Sequence, residues 1–333
     1  MSVSAVVVAF EAGPALARCL DSLAGEADEI VVVDNGQGGP EIADARGRDG
    51  VQVISPGENV GFAAGANLGA REAGGDILVF LNPDTVIAPG ALRRLEERLA
   101  DQTIGIAMAR LRLLNEPDLL NSSGTEVHVS GIGWAGGYAQ PVESLGELRE
   151  IAAPSGAAMA VRAETFRSLG GFAEELFMYL EDLELGWRAR LSGLRVVVDP
   201  TADVYHEYEF GRNLRKSYFL ERNRIVFALT AFSPRLLFLL SPVFVATELG
   251  MVGLALKEGW LRDKIAGWGW LLRNPGTVRR RRRSTQRLRT VRDRELAGFL
   301  TPVFSPGMVP VPALLRAANP AVARYWSLVR RAL

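Results

Sequence analysis

Three acids in the first quarter of the chain each follow an apolar run. Glu11 comes after VVVAF, Asp34 closes EIVVVD, and Asp84 lies in ILVFLNPDTV, where buried-looking residues pass straight into Asn-Pro-Asp. Farther on, FMYLEDLELGW groups Glu181, Asp182 and Glu184, and DVYHEY brings in His206, one of 2 histidines. Carboxylates and imidazoles hold divalent cations, bind sugar hydroxyls and accept protons. Taken singly, each has a plainer reading as a turn former, a helix-capping acid or a hydrogen-bonded structural histidine. Their shared placement at the ends of apolar runs favours chemistry.

The elements that must position them alternate. SAVVVAF, EIVVVDN, VQVIS and DILVFLN read as strands. PALARCLDSLA, GFAAGANLGAREAG and PGALRRLEERLAD read as helices between and after them, and IGIAMARLRLL reads as a further strand. Alternation of this kind predicts an α/β fold with a mostly parallel sheet covered by helices, and such sheets bind ligands beyond the carboxyl ends of their strands. Glu11, Asp34 and Asp84 all fall there. SGIGWAGGYAQP reads as a surface loop carrying Trp134 and Tyr138. In LEDLELGWRARL, residues Leu180, Leu183, Trp187 and Leu191 share one helix face, leaving Glu181 and Asp182 free to look into the rim. LRVVVDPTADVYHEY reads as two short strands.

The chain has 333 residues, 48% of them hydrophobic and 23% charged, which suits a packed core and argues against global disorder. Its single cysteine, Cys19, excludes an internal disulfide framework. The apolar start, Val3 to Phe10, reads as a strand and not as an export signal. Asn121-Ser-Ser matches a glycosylation sequon without the secretory context that would give it meaning. Net charge is formally zero, yet residues 273–294 hold ten arginines and one aspartate, an asymmetry that points to an anionic partner.

The blocks VVVAFEAGPALARCLDSL, IVVVDNGQGG, NVGFAAGANLGA, ILVFLNPDT, PSGAAMAVRAETFRSLGGFAEELFMYLEDLELGWRARLSG, VVVDPTADVYHE and LERNRI occur in this order across roughly residues 3–226. Together they resemble the inverting, nucleotide-sugar-dependent glycosyltransferases of family 2, with a GT-A (Rossmann-like) fold, nearest to the rhamnosyltransferase-like group. The resemblance implies roles by position. Ala9, Glu11 and Asp34 would line the nucleotide pocket. Small residues of the helix GFAAGANLGAREAG, Gly61, Ala64 and Gly65, would let it approach the donor, with Asn67 reaching a polar group. Asp182 would be the catalytic base, with Glu181 as the alternative. Asp84 and His206 would hold a divalent cation, Mn or Mg. Arg222 and Asn223 would approach the diphosphate, and Gly156 and Trp134 would face the acceptor. One position departs from the family's Asp-x-Asp metal motif. Its first aspartate is Asn82 here, an oxygen donor without charge that could still reach the ribose or a metal-bound water.

The activity implied by the resemblance is a metal-dependent inverting transfer of a sugar, such as rhamnose, from a dTDP- or UDP-sugar to a lipid-linked or polysaccharide acceptor. A non-catalytic sugar-nucleotide-binding or scaffold protein is the alternative, supported by Asn82 alone. A nucleotidyltransferase would want a basic phosphate loop after the first strand, and AFEAGPAL lacks the basic residue.

Beyond about residue 233 the character changes, giving a catalytic domain over 1–232 and an apolar, basic helical region over 233–333. Leu236 to Leu256 carries one charge, Glu248, and could just span a bilayer core at ~1.5 Å per residue. The catalytic domain before it and the arginines after it both prefer the cytoplasmic side. The expectation is therefore a kinked re-entrant hairpin or a helix pair lying in the interface, on the cytoplasmic face of the cell membrane. Trp260, Trp268 and Trp270 would sit at headgroup depth and Arg279 to Arg283 against anionic lipid. Nucleic acid is not expected, since no stacking aromatics accompany the arginines. The last twenty residues read as an amphipathic helix docking on either the domain or the membrane.

Overall fold

The computed structural model describes residues 1–36, 38–207, 215–307 and 313–333. Its first half alternates as the sequence predicts: β1 (Val3–Ala9), α1 (Pro14–Leu23), β2 (Glu29–Asp34), α2 (Pro40–Arg46), β3 (Val51–Ile54), α3 (Gly61–Glu72), β4 (Ile77–Leu81), β5 (Thr85–Ile87), α4 (Ala91–Leu99) and β6 (Ile104–Leu113). Then come β7 (Leu120–Ser122), β8 (Thr125–His128), β9 (Gly133–Ala135), β10 (Arg149–Glu150), β11 (Ala158–Arg162), α5 (Ala163–Leu169), α6 (Glu181–Leu191) and β12 (Arg195–His206). Six helices and a short strand complete the described chain: α7 (Lys216–Ala231), α8 (Pro234–Glu258), α9 (Leu261–Arg273), α10 (Pro275–Arg287), α11 (Asp293–Leu296), β13 (Leu300–Thr301) and α12 (Ala313–Ala332).

The main sheet runs β10-β12-β6-β11-β4-β1-β2-β3. Strands β3, β2, β1 and β4 are parallel, and every residue of β1 and β4 is buried, as a sheet covered on both faces requires. The register pairs Ala9 with Asp34 and Val7 with Leu81, so Glu11, Asp34 and Asp84 gather at one edge. The other half is mixed, because β11 runs antiparallel to both β4 and β6. The two short strands expected around Pro200 are one strand, β12, whose register on β6 shifts between Asp199 and Asp203. That irregularity absorbs the proline and carries the strand on to His206.

The glycines of α3 serve packing. A Cβ at Gly69 would come 2.4 Å from Val6 and one at Gly65 3.0 Å from Val8, so the small residues let the helix lie close on β1. The expected surface loop after residue 130 is instead part of a hairpin, β8–β9, with Trp134 only 8% exposed.

The C-terminal region is built into the same body. Leu296, Leu300, Trp326 and Val329 share a core with Val127, Leu183, Trp187 and Phe227, and β13 pairs with β8. Helix α12 therefore docks on the protein, its Tyr325 hydroxyl donating to the Leu239 carbonyl at 2.6 Å. Helix α8 continues for 25 residues through Pro242, unlike the kinked hairpin that was one of the two expectations, and Gly259 (φ 82°) turns the chain back into α9, giving a helix pair.

Candidate functional site

Two cavities are lined by residues at or beyond the carboxyl ends of the parallel strands. The first, about 540 Å³, is lined by Ala9, Glu11, Asp34, Asn35, Glu58 and Asn59 among others. Asp34 accepts from the Gly36 and Gly38 amides at 3.2 and 3.4 Å, which holds the loop after β2 open. Asn35 bridges to Asn59 and to the Val60 amide. A polar recess of this kind, beside parallel strand ends, suits the base and ribose of a nucleotide.

The second cavity, about 420 Å³, has Asn82 and His206 at one side and Glu181, Asp182 and Gly156 at another, with Phe62, Trp134, Tyr179 and Lys216 also in its wall. The turn after β4 aims the first group. Pro83 stiffens it, and the Thr85 hydroxyl donates to the Asn82 carbonyl at 2.7 Å. β5 then pairs antiparallel with β12, setting Thr85 opposite His206. Asp84 Oδ1 consequently lies 3.2 Å from His206 Nε2. His206 Nδ1 is 3.0 Å from Asn121 Oδ1. An amide oxygen can only accept, so Nδ1 donates to it, while Nε2 faces Asp84 and lies 3.4 Å from the Asn82 amide nitrogen. Asp84 Oδ1 is buried and makes no hydrogen bond. A carboxylate oxygen and an imidazole nitrogen at this distance share either a proton or a cation. The pair therefore fits a hard divalent cation, oriented by Asn121 as such ligands usually are. Among the described residues no group of three His, Cys, Asp or Glu gathers to hold a metal, so two protein ligands would be completed by phosphate oxygens and water. Asn121 is buried, which removes the sequon from consideration.

Across the cavity, Asp182 sits in the first turn of α6. Its Oδ2 accepts from the Gly156 amide and its Oδ1 from the Leu183 amide, both at 2.7 Å. Burial pushes its carboxyl up, while these donors pull the other way. Glu181 beside it is pushed well above the carboxylate range, first by burial and then by the Asp182 charge, and its Oε2 has no hydrogen-bond partner. Both neighbouring carboxyls are thus raised, Glu181 the more strongly, so of the two Asp182, with its two amide donors, is the one whose ionised form the surroundings support better. Glu181, the alternative base, lines the same cavity as Asp182.

Four residues expected at the donor turn elsewhere. Gly61 (φ +81°) lies against Phe177, whose carbonyl oxygen would be 2.5 Å from an added Cβ. The Asn67 amide donates to the Phe172 carbonyl at 3.0 Å and to Glu174 at 2.9 Å, and its oxygen accepts from the Phe172 amide. Arg222 and Asn223, 5% and 0% exposed, are bonded to the backbone between Glu175 and Tyr179. Conversely, Lys216 was not singled out. It opens α7 within the cavity wall, and burial brings its amine down to about 8. A lone lysine after a glycine- and arginine-containing stretch carries no signal of its own.

Residues 4–167 match the model of the family described as glycosyl transferase family 2. Among curated proteins, the chain is 29% identical over 232 residues to an N-acetylglucosaminyl-diphospho-decaprenol L-rhamnosyltransferase of Mycobacterium tuberculosis, covering 60% of this chain and 74% of that one. It is 26% identical over 241 residues to the low-salt glycan biosynthesis hexosyltransferase Agl10 of Haloferax volcanii, covering 69% and 76%. Among solved structures, GalNAc-T7 with UDP, GalNAc and Mn2+ superposes with a TM-score of 0.59 at 18% identity, over 69% of this chain and 48% of that one. S. aureus TarS 1–349 in complex with UDP-GlcNAc superposes with 0.55 at 15% identity, over 99% and 91%. The fold is GT-A, and residues 4–167 belong to glycosyl transferase family 2, whose enzymes are glycosyltransferases.

Proposed function

We propose that the protein is a divalent-cation-dependent, inverting glycosyltransferase that moves a sugar from a nucleotide diphosphate donor, such as dTDP-rhamnose or a UDP-sugar, to a lipid-linked or polysaccharide acceptor. The observation that carries this reading is the 420 Å³ cavity in which Asp182 and the Asn82–His206 side face one space. The nucleotide would lie in the recess of Ala9, Glu11 and Asp34, its diphosphate reaching Asp84 and His206. A cation held there would neutralise charge growing on the leaving diphosphate. Asn82 supports that site with an amide where a second carboxylate would add charge. Lys216 supplies a further positive group in the same wall. The acceptor hydroxyl would enter past Trp134 and Gly156 and hand its proton to Asp182 Oδ2, on the face opposite the diphosphate. The rhamnosyl donor and lipid-linked acceptor are suggested by what the M. tuberculosis relative is named for.

The test is a thermal-shift screen across nucleotide sugars with and without manganese. The true donor is expected to raise Tm only when manganese is present, by an amount that grows with donor concentration. A shift that ignores manganese, or no shift with any donor, overturns the reading.

A lipid acceptor fits the C-terminal helices. Helix α8 is long and apolar enough to cross a membrane, with mean hydropathy 1.9 and only 17% of its apolar window buried. Glu248 near its middle, however, is paired with the buried Lys264 at 2.9 Å and with Arg224, and both of these also bind Glu221. Those bonds tie α8 to α7 and α9. Phe238, Val245, Leu249 and Leu256 are all exposed by 60% or more, and their spacings of seven, four and seven place them on one side of the helix. Ile265 and Leu272 of α9, seven apart, are exposed as well. An apolar ridge with exposed Arg273, Arg279 and Arg283 nearby in sequence suits a helix pair lying in an anionic membrane surface. Two of the tryptophans expected at the headgroups turn inward instead: Trp268 donates to Glu248 at 3.0 Å, and Arg222 stacks on Trp270. Leu249→Glu is expected to abolish co-sedimentation with vesicles containing phosphatidylglycerol while preserving Tm. Unchanged sedimentation would remove this surface from the proposal.

A further inference from the structure

The segment leading into α6 has an unusual backbone. Phe177, Tyr179 and Leu180 all have positive φ, at 66°, 67° and 66°, the left-handed region that bulky side chains avoid. Such a turn persists only where its surroundings fix it. Asn223, fully buried on α7, donates through one amide nitrogen to the carbonyls of Leu176, Met178 and Tyr179 at 3.0, 2.9 and 2.8 Å. Arg222 donates to the carbonyls of Glu175 and Leu176 at 3.0 and 2.7 Å, and its Nε fixes the Asn223 oxygen at 2.9 Å. From the other side the Ala63 amide of α3 holds the Phe177 carbonyl at 3.1 Å, while on the α7 side Phe177 stacks on Phe219. The turn then hands over to Leu180, whose carbonyl receives the first bond of α6, two residues before Asp182.

We propose that Arg222 and Asn223 are positioning residues: they clamp the 176–180 turn from α7 and so set Asp182 at its place in the sugar cavity. The proposal rests on reading Asp182 as the base. The clamp touches neither the nucleotide recess nor the Asp84–His206 pair, so the contacts proposed for the nucleotide and its diphosphate do not run through it. Met178, Tyr179 and Leu180 line the sugar cavity themselves, so a relaxed turn would shift that wall together with the carboxylate. Two independent supports, α3 and α7, meet at this one turn. Gly61 is required for the first, because only a residue without Cβ can pass Phe177 this closely.

The experiment compares Asn223→Ala, Arg222→Lys and Gly61→Ala with the unaltered protein in steady-state kinetics, pH–rate profiles and thermal melts. Gly61→Ala pushes the turn from the opposite side and keeps the proposal testable if Asn223→Ala fails to fold. Loosening the turn is expected to lower kcat by up to ~100-fold with donor KM nearly unchanged, the effect of misplacing a reacting group by about an ångström. It also admits water to Asp182, so the acid limb of the profile moves to lower pH. Arg222→Lys, which keeps the charge but loses the guanidinium fork that reaches both the carbonyls and the Asn223 oxygen, falls between. Folded Asn223→Ala or Gly61→Ala protein with unaltered kcat and acid limb overturns the clamp. Loss that merely follows the unfolded fraction in the melts does the same. If Asp182→Asn itself retains turnover, it is the base reading that fails, and that result is separable because it needs no change on α7 or α3.

Discussion

Asp182→Asn is expected to lower kcat by ~10²–10⁴-fold, the usual worth of a positioned general base, while leaving donor affinity nearly unchanged. The substitution keeps the shape and one acceptor oxygen for the amides of Gly156 and Leu183. It removes the capacity to take a proton from the acceptor hydroxyl. The pH profile gives a sharper reading. The Asp182 carboxyl is raised by burial, and the base works only when ionised, so activity falls as pH drops through that raised value. This acid limb lies above the range of an exposed aspartate and disappears in the variant. Lys216, brought down to about 8 by burial, loses its charge as pH rises, which sets an alkaline limb near that value in donor KM. Measured rates across pH 5–9 in both proteins check the pair of statements. A variant that retains near-normal transfer would refute the base.

The second large effect lies across the cavity. Asp84→Ala removes the carboxylate whose Oδ1 faces His206 and is expected to reduce kcat/KM by ~10³-fold or more, since charge neutralisation at a leaving diphosphate is worth several kcal/mol. Calorimetric titration of manganese in the presence of UDP provides a readout apart from turnover, and it should lose its heat signal. Asn121→Ala leaves both ligands but frees the imidazole to rotate, so manganese affinity should weaken ~10–100-fold with the maximal rate recovered at saturating metal. Equal manganese affinity in all three proteins would place the cation elsewhere.

Much of this arrangement is written in local patterns. Apolar runs of four to seven residues ending in acids foretell the parallel strands and their functional edge, because burial on both faces demands such runs and the sheet delivers their ends to one side. Asp84, Asp182 and His206 could be singled out because each stands next to a regular element. The remainder depends on contacts between distant segments. Nothing near Asn121 announces that it will meet His206, 85 positions away. The same holds for Asn223, where a polar pair inside an ordinary helix gives no hint of three carbonyls waiting on another loop. The glycines of α3 were legible as close-approach positions, but sequence alone does not tell whether the approaching group is a ligand or Val6, Val8 and Phe177. The hairpin containing Trp134 looked like a loop because its glycines obscure strand alternation, while its burial comes from Phe304 and His128 packed over it.

The four charges joining Glu221, Arg224, Glu248 and Lys264 carry a consequence for anyone who would shorten the protein. Two belong to the segment ahead of residue 233 and two to the segment behind it, and Arg224 and Lys264 are almost wholly shielded from water. Cutting at the change in sequence character strips Arg224 of one of its counter-ions and bares an apolar seam, a loss of the kind that costs about 3–5 kcal/mol for a severed interior pair. A fragment ending there should precipitate or melt early, so the place where composition changes is not a joint at which the molecule comes apart.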